Sequence, residues 1–285
     1  MIKLLKKILK KFIKVKIVKE KIVVSTIRGE YLKGRCALIT GASSGIGYSI
    51  AESFLNNGAS VIILGRDENK LNKAKDSLLH DTNCSTDKIN TQVLDISDVK
   101  NLKCNFENLI KKFNKKIDIF VNNAGVNVGN YFPNTSEEDY DKVLDTNLKG
   151  TYFFSQIVCD YMVSNSIKGN LLNVLSSSSL RPGISPYIIS KWGERSLTLG
   201  LAKKYLPYGI VVNAVAPGST STAMVNHGEL NDLNCDYTLT KRFVAPEEVA
   251  NIATILVSNV GKMIIGDTIY MTGGAGLLTY DDMKY

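Results

Sequence analysis

A tyrosine four residues ahead of a lysine puts a phenol and an ammonium on one helix face, and such a pair can move a proton. A free tyrosine titrates near pH ~10, and a neighbouring ammonium favours phenolate, drawing the phenol toward working pH. The spacing occurs three times, at Tyr187/Lys191, Tyr237/Lys241 and Tyr280/Lys284, so spacing alone selects none of them. Position does. Tyr187 opens a predicted helix just after the serine run Ser176-Ser177-Ser178-Ser179 at a strand end, and strand C-terminal ends are where open parallel sheets bind ligands. The other two fall in a polar, lid-like segment and in the charged tail, and read as coincidence. A second candidate is Thr40-Gly41-Ala42-Ser43-Ser44-Gly45-Ile46-Gly47, which ends a strand and starts a helix. Its glycines allow a tight turn and close approach to a pyrophosphate, whose charge the helix amides and positive helix end would meet. The spacing is GxxxGxG rather than the general GxGxxG. Placed after the first strand, it points to a bound nucleotide.

Both candidates need a scaffold that gathers strand ends. Short apolar runs at 36–40, 60–64, 91–94, 117–121, 170–175, 209–215 and 267–271 alternate with helical stretches at 46–57, 67–79, about 136–163, about 185–206 and from Pro246. A lysine-rich helix separates the third and fourth runs. This alternation predicts an α/β fold, one doubly wound domain with a seven-stranded parallel sheet. No linker or internal repeat divides it. The domain is expected over 33–276, after an extension at 1–32 and before a tail at 277–285.

The 285 residues carry a formal net charge of +8, and residues 1–21 hold nine lysines against the single acid Glu20. The head therefore accounts for the whole net charge, and the remainder is neutral. Apolar pairs Leu4-Leu5, Ile8-Leu9 and Phe12-Ile13 alternate with lysines, predicting an amphipathic helix with a basic face. From Val15 to Val24 the pattern turns toward a strand or hairpin. Lysines interrupt any signal-peptide core, and no apolar run is long enough to span a membrane. Five scattered cysteines without a CxxC pair exclude a disulfide framework or zinc site and fit a reducing cytosol. With two histidines, no histidine-built metal centre is expected.

The glycine turn resembles that of the short-chain dehydrogenase/reductase family. Further signatures follow in the family's order: Asn122-Asn123-Ala124-Gly125, Asn147, Tyr187-x-x-x-Lys191, Pro217-Gly218 and Gly273-Gly274. The resemblance covers about residues 33–276 and implies a Rossmann-type oxidoreductase moving a hydride between a nicotinamide and a carbonyl or alcohol. It implies Tyr187 as acid in reduction and base in oxidation, with Lys191 tuning the phenol and holding the nicotinamide ribose. A serine hydroxyl would polarise the carbonyl, and Asn147 would support a water-linked proton path. Ser176, only eleven residues before Tyr187 in a shortened loop, is the expected serine, with Ser178 as rival.

The same resemblance assigns Gly41, Ser43, Ser44, Gly45, Ile46 and Gly47 to the cofactor phosphates and Asp95 and Ile96 to the adenine. Asn123, Ala124 and Gly125 would line the trough, although Asn123 could simply cap its loop. Pro217, Gly218, Thr220 and Thr222 would meet the nicotinamide end. Where NAD-preferring relatives carry an acid, this chain has Gly65 followed by Arg66, resembling NADP-type members. A guanidinium suits a 2′-phosphate. The segment 219–243, with Met224, Val225, His227, Glu229, Tyr237 and Arg242, should cover the substrate but matches no ligand class. Lys241-Arg242 and 246–250 resemble 3-oxoacyl-carrier-protein reductases, while sugar or polyol oxidoreduction stays equally open. The helices at 136–163 and 185–206 imply a homodimer or homotetramer. The alternative function is a catalytically silent nucleotide-binding regulator. The neutral main domain and the lack of a recognition motif exclude nucleic acid. The head reads either as a peripheral anchor to anionic membrane, with the chain cytoplasmic or at the inner membrane surface, or as a segment docked on its own oligomer.

Overall fold

In the computed structural model, residues 29–222, Cys235 and 238–278 are described. The amphipathic head, most of the segment read as a substrate cover (Met224, Val225, His227, Glu229 and Tyr237 included), and the tail with Tyr280 and Lys284 lie outside them.

Seven strands form one parallel sheet in the order β3-β2-β1-β4-β5-β6-β7. They are β1 (Cys36–Thr40), β2 (Ser60–Gly65), β3 (Ile89–Val93), β4 (Ile119–Asn122), β5 (Asn170–Val174), β6 (Val211–Pro217) and β7 (Thr268–Met271). The helices are α1 (Gly45–Asn56), α2 (Glu68–Thr82), α3 (Val99–Phe113), α4 (Glu137–Leu144), α5 (Thr151–Ser164), α6 (Pro186–Tyr205) and α7 (Pro246–Val257). Strands buried on both faces must be apolar almost throughout, and β1, Cys-Ala-Leu-Ile-Thr, is buried at every position. Alternate residues feed opposite layers. Ala37, Ile39, Val61, Ile63, Ile119 and Val121 pack with Ile50 and Phe54 of α1 and Val249 and Leu256 of α7. Leu38, Ile62, Leu64 and Phe120 pack with Phe106 of α3 and Phe154 and Val158 of α5.

Strand order reverses between β1 and β4, whose Ile39 and Val121 are paired. Their C-terminal ends diverge there into a crevice, the place where such sheets bind ligands. Two buried polar networks hold the crevice walls. Thr40 Oγ1 accepts from the Asn123 and Ala124 amides at 2.9 and 3.0 Å and donates to the Val121 carbonyl, tying the two strand ends together. Asn122 Nδ2 donates to Ser155 Oγ and to Asn173 Oδ1, and Asn173 Nδ2 donates to Thr198 Oγ1. That second chain locks β4 and β5 to α5 and α6.

The helix expected over 136–163 is not regular. Between α4 and α5 the chain makes a π-type turn over Asp145–Gly150, the kind of widened turn that clusters at functional sites. Gly150 belongs there: a Cβ on it would lie 2.6 Å from the Ile96 carbonyl oxygen.

Candidate active site

A cleft of about 340 Å³ opens over the ends of β1 to β5. The turn after β1 forms its floor, with Gly41, Ser43, Ser44, Gly45 and Ile46 lining it. Gly41 (φ +64°) and Gly45 (φ +58°) take the left-handed backbone that glycine alone adopts without strain. A Cβ on Gly41 would also sit 2.8 Å from the Ala124 Cα, so the approach of the two strand ends requires glycine. Gly47 is different. It is buried under the turn, where a Cβ would meet the Gly41 carbonyl at 2.6 Å and Nδ2 of the Asn123 side chain; it packs α1 and does not line the cleft.

The first-turn amides of α1 point into this floor, as the geometry of any helix start dictates. Ser44, its N-cap, makes no side-chain capping bond, and no acid stands in the first turn. An anion would find free donors and the positive helix end. The residues present therefore fit a dinucleotide: a glycine cradle, a helix start, and Arg66 exposed at the mouth. Asp67 beside Arg66 is engaged otherwise, capping α2 by accepting from the Lys70 amide at 3.0 Å. Asp95 and Ile96 line the wall beyond β3, and Asp95 Oδ1 accepts from the Ser97 amide and hydroxyl.

Asn123, Ala124 and Gly125 line the opposite wall. Both expectations for Asn123 meet here, because its Nδ2 donates to the Thr40 and Gly41 carbonyls at 2.9 and 3.0 Å and so braces the turn. Thr222 closes the mouth opposite Gly45. Pro217, Gly218 and Thr220 stand at the end of β6 away from the lining; the Gly218 amide donates to Met271, and Thr220 Oγ1 donates to the Gly218 carbonyl.

Tyr187 and Lys191 form the inner end of the cleft. Ser185 caps α6 by accepting from the Ile188 amide, and Pro186 occupies the first turn, so Tyr187 projects from a fixed helix start. Lys191 Nζ stands 5.8 Å from the centre of the Tyr187 ring, donates to the Val174 carbonyl at 3.2 Å, and faces the Glu194 carboxylate at 2.9 Å. Burial works against this ammonium, but the carboxylate of Glu194, with Tyr187 adding to it, outweighs that and leaves the lysine pKa raised. Burial pushes the Glu194 carboxyl up while Lys191 pulls it back. The lysine thus stays charged across the working range.

Ser176 directly follows the lining residues Val174 and Leu175, and its Oγ accepts from the Ser178 amide at 3.1 Å. A hydroxyl used this way keeps its proton to donate. Ser177 and Ser179 are buried, whereas Ser176 and Ser178 are half-buried. Asn147, in the π-type turn, is wholly buried. Its side chain accepts from the Val126 amide at 2.8 Å and donates to the Val126 carbonyl and to Ser190 Oγ, which itself bonds to the Tyr187 carbonyl. It braces the cleft wall against the tyrosine helix from behind and does not line the cleft.

Sequence reasoning passed over Leu94, Val126, Thr146, Val174 and Leu175, which all line the cleft. Most sit at strand ends or one residue beyond, which was the available signal. Glu194 was also missed; its place three residues after Lys191 put both on one helix face. Among the described residues no cluster of histidine, cysteine or acidic side chains could hold a metal ion, and no helix is long and apolar enough to cross a membrane.

Comparison with known proteins agrees with this geometry. Residues 35–232 match the short chain dehydrogenase family profile. The chain is 35% identical over 249 residues to the 3-oxoacyl-[acyl-carrier-protein] reductase FabG of Thermotoga maritima, covering 85% of this chain and 98% of that protein. A crystal structure of a gluconate 5-dehydrogenase from Burkholderia cenocepacia in complex with NADP and tartrate superposes with a TM-score of 0.76 at 28% identity, covering 87% of this chain and 96% of that one. A 3-ketoacyl-(acyl-carrier-protein) reductase from Brucella melitensis complexed with NADH gives the same TM-score and identity over 86% of this chain and all of that one.

Proposed function

The chain belongs to the short-chain dehydrogenase/reductase family, and from that premise we propose that it is an NADP(H)-dependent oxidoreductase of CH–OH and C=O groups, working through Tyr187, Lys191 and Ser176. The observation that carries this reading is the cleft itself, with a glycine turn and helix start at one end and the Tyr187–Lys191 pair at the other. When bound, the nicotinamide supplies or accepts the hydride. The protein's own residues manage the proton and the charge. Ser176 donates to the substrate oxygen and orients it. Tyr187 gives its proton to the oxygen that becomes an alcohol, or takes that proton in oxidation, and Lys191 stabilises the phenolate left behind. Asn147, held behind the wall, keeps Val126 and the tyrosine helix in register. Gly41, Ser43, Ser44, Gly45 and Ile46 hold the pyrophosphate, Asp95 and Ile96 the adenine, and Ala124, Gly125 and Thr222 the nicotinamide half.

NADP is the cofactor this site suits, because Gly65 offers no carboxylate to a ribose 2′-hydroxyl and Arg66 offers a guanidinium to a 2′-phosphate. Arg66→Ala should therefore weaken NADPH by roughly ten- to a hundredfold, the equivalent of one charge-assisted bond, and leave NADH almost unchanged. Fluorescence titration of both cofactors checks this; equal losses would remove Arg66 from cofactor choice.

A homo-oligomer is the expected assembly. Tyr152 and Phe153 on α5 and Ile189, Trp192 and Leu199 on α6 are exposed large apolar side chains, a surface that a second copy would cover. Light scattering at micromolar concentration should give a dimer or tetramer, and a monomer mass would contradict it. The basic head at 1–21 supports a separate reading as a contact with anionic membrane, each lysine contributing about 1 kcal/mol near the surface. Full-length protein should float with anionic vesicles at low salt, whereas a chain starting near Tyr31 should not; failure of the full-length protein to float would end that reading.

A further inference from the structure

We propose that Glu194 is a positioning residue for the Lys191 ammonium and, through it, sets how readily the Tyr187 phenol ionises; this rests on the reading of Tyr187 and Lys191 as the proton-transfer pair. Glu194 lies on the same face of α6 as Lys191, away from solvent, with 2% of its surface exposed against 4% for the lysine. Its Oε1 and Oε2 stand 2.9 and 3.2 Å from Nζ. With the Val174 carbonyl at 3.2 Å, three oxygens fix the end of a side chain that otherwise has four rotatable bonds. The helix backbone around Glu194 is itself anchored, since its carbonyl accepts from Thr198 Oγ1, the end of the polar chain running through Asn173 to Asn122. A lysine held this way keeps one position beneath the tyrosine ring.

The same contact changes the electrostatics. Burial opposes an ammonium at this depth, and the facing carboxylate at 2.9 Å is what keeps Lys191 charged, so that it can favour phenolate at Tyr187. The charged groups on neighbouring elements do not replace Glu194. Asp145 and Lys149 on the π-type turn pair with each other at the surface, and Arg195 lies over the Trp192 and Tyr270 rings. The Arg181 guanidinium, after the serine turn, stands against Gly276. Glu137, Glu138 and Asp139 occupy the outer first turn of α4, Asp141 and Lys142 its exposed surface, and Asp160 of α5 approaches Tyr205. The segment Val211–Pro217 of β6 carries no ionisable side chain.

The test reads the tyrosine directly. Near-ultraviolet tyrosinate absorbance is followed against pH in cofactor-free protein, and the same titration of Tyr187→Phe is subtracted to isolate Tyr187. Glu194→Gln keeps the shape and removes the charge that holds the buried ammonium, so the Tyr187 midpoint should move up by about one pH unit. The pH profile of alcohol oxidation should move the same way. Glu194→Asp keeps the buried pair but retracts the carboxylate by one methylene; its midpoint should move in the same direction by less, which serves even if the glutamine variant does not fold. A midpoint unmoved or lowered in the variants that fold would overturn the proposal. Normal turnover by Tyr187→Phe would defeat the functional reading instead and leave this titration result standing.

Discussion

Tyr187→Phe should lose turnover by at least about a hundredfold while NADPH affinity stays within a few-fold of the parent. The expected size follows from general acid–base catalysis, which contributes roughly 10²- to 10⁴-fold where one positioned group carries the proton. Phenylalanine keeps the ring, its packing at the start of α6 and its contact with the Lys191 side chain; only the hydroxyl goes. A fall in kcat and kcat/KM together, with cofactor binding preserved, is the pattern of an interaction made in the transition state. Steady-state kinetics with a fluorescence titration of the same preparation separates the two. A variant that turns over normally would remove Tyr187 from the chemistry.

Lys191→Met should do more damage than its place beside the tyrosine alone would suggest. It removes the charge that favours phenolate and a proposed contact to the nicotinamide ribose, so turnover and cofactor affinity should both fall. It also leaves the Glu194 carboxylate buried without its partner, and breaking a buried pair from one side costs about 3–5 kcal/mol. In a domain of this size that corresponds to a melting temperature lower by on the order of 10 °C. The sign of the pH dependence is fixed by burial. With the lysine gone, Glu194 is held protonated in the fold, and its folded pKa exceeds its unfolded one. Its contribution is intact below the unfolded value and is lost as pH rises through the folded value. The variant should therefore lose ground to the parent on going from mildly acidic to mildly alkaline buffer. Thermal melts across that window check it; a parallel offset at every pH would mean that Glu194 is not the group released.

The strands and the glycine turn were legible because their signals are local. Cys36 to Thr40 and Ile119 to Asn122 are apolar runs too short for helices, and an all-buried parallel strand reads that way. The left-handed positions Gly41 and Gly45 announce themselves by residue type. The long helix was not legible as built. Helical periodicity is counted at a constant step, and the π-type turn at Asp145–Gly150 inserts a shift that no residue type marks; Gly150 reveals it only once Ile96 is seen against it. The bonds of Asn147 to Val126 and Ser190 were not legible, because an asparagine in a helix pattern gives no sign of what lies beyond the helix. Glu194 was hidden for the opposite reason. A glutamate three residues from a lysine looks like an ordinary surface pair, and only the packing of α6 on β5 and β6 shows both to be buried.

The most direct measurement is transfer of the label itself. Purified full-length protein would be given NADPH carrying deuterium at the transferable position and a panel of ketones, sugars and acyl thioesters, and the products read by mass spectrometry. We expect deuterium on the carbinol carbon of at least one product, formed in step with NADPH oxidation and lost in Tyr187→Phe. NADPH that binds in the cleft yet leaves every carbonyl in the panel unlabelled would contradict the account and point to a silent nucleotide-binding protein.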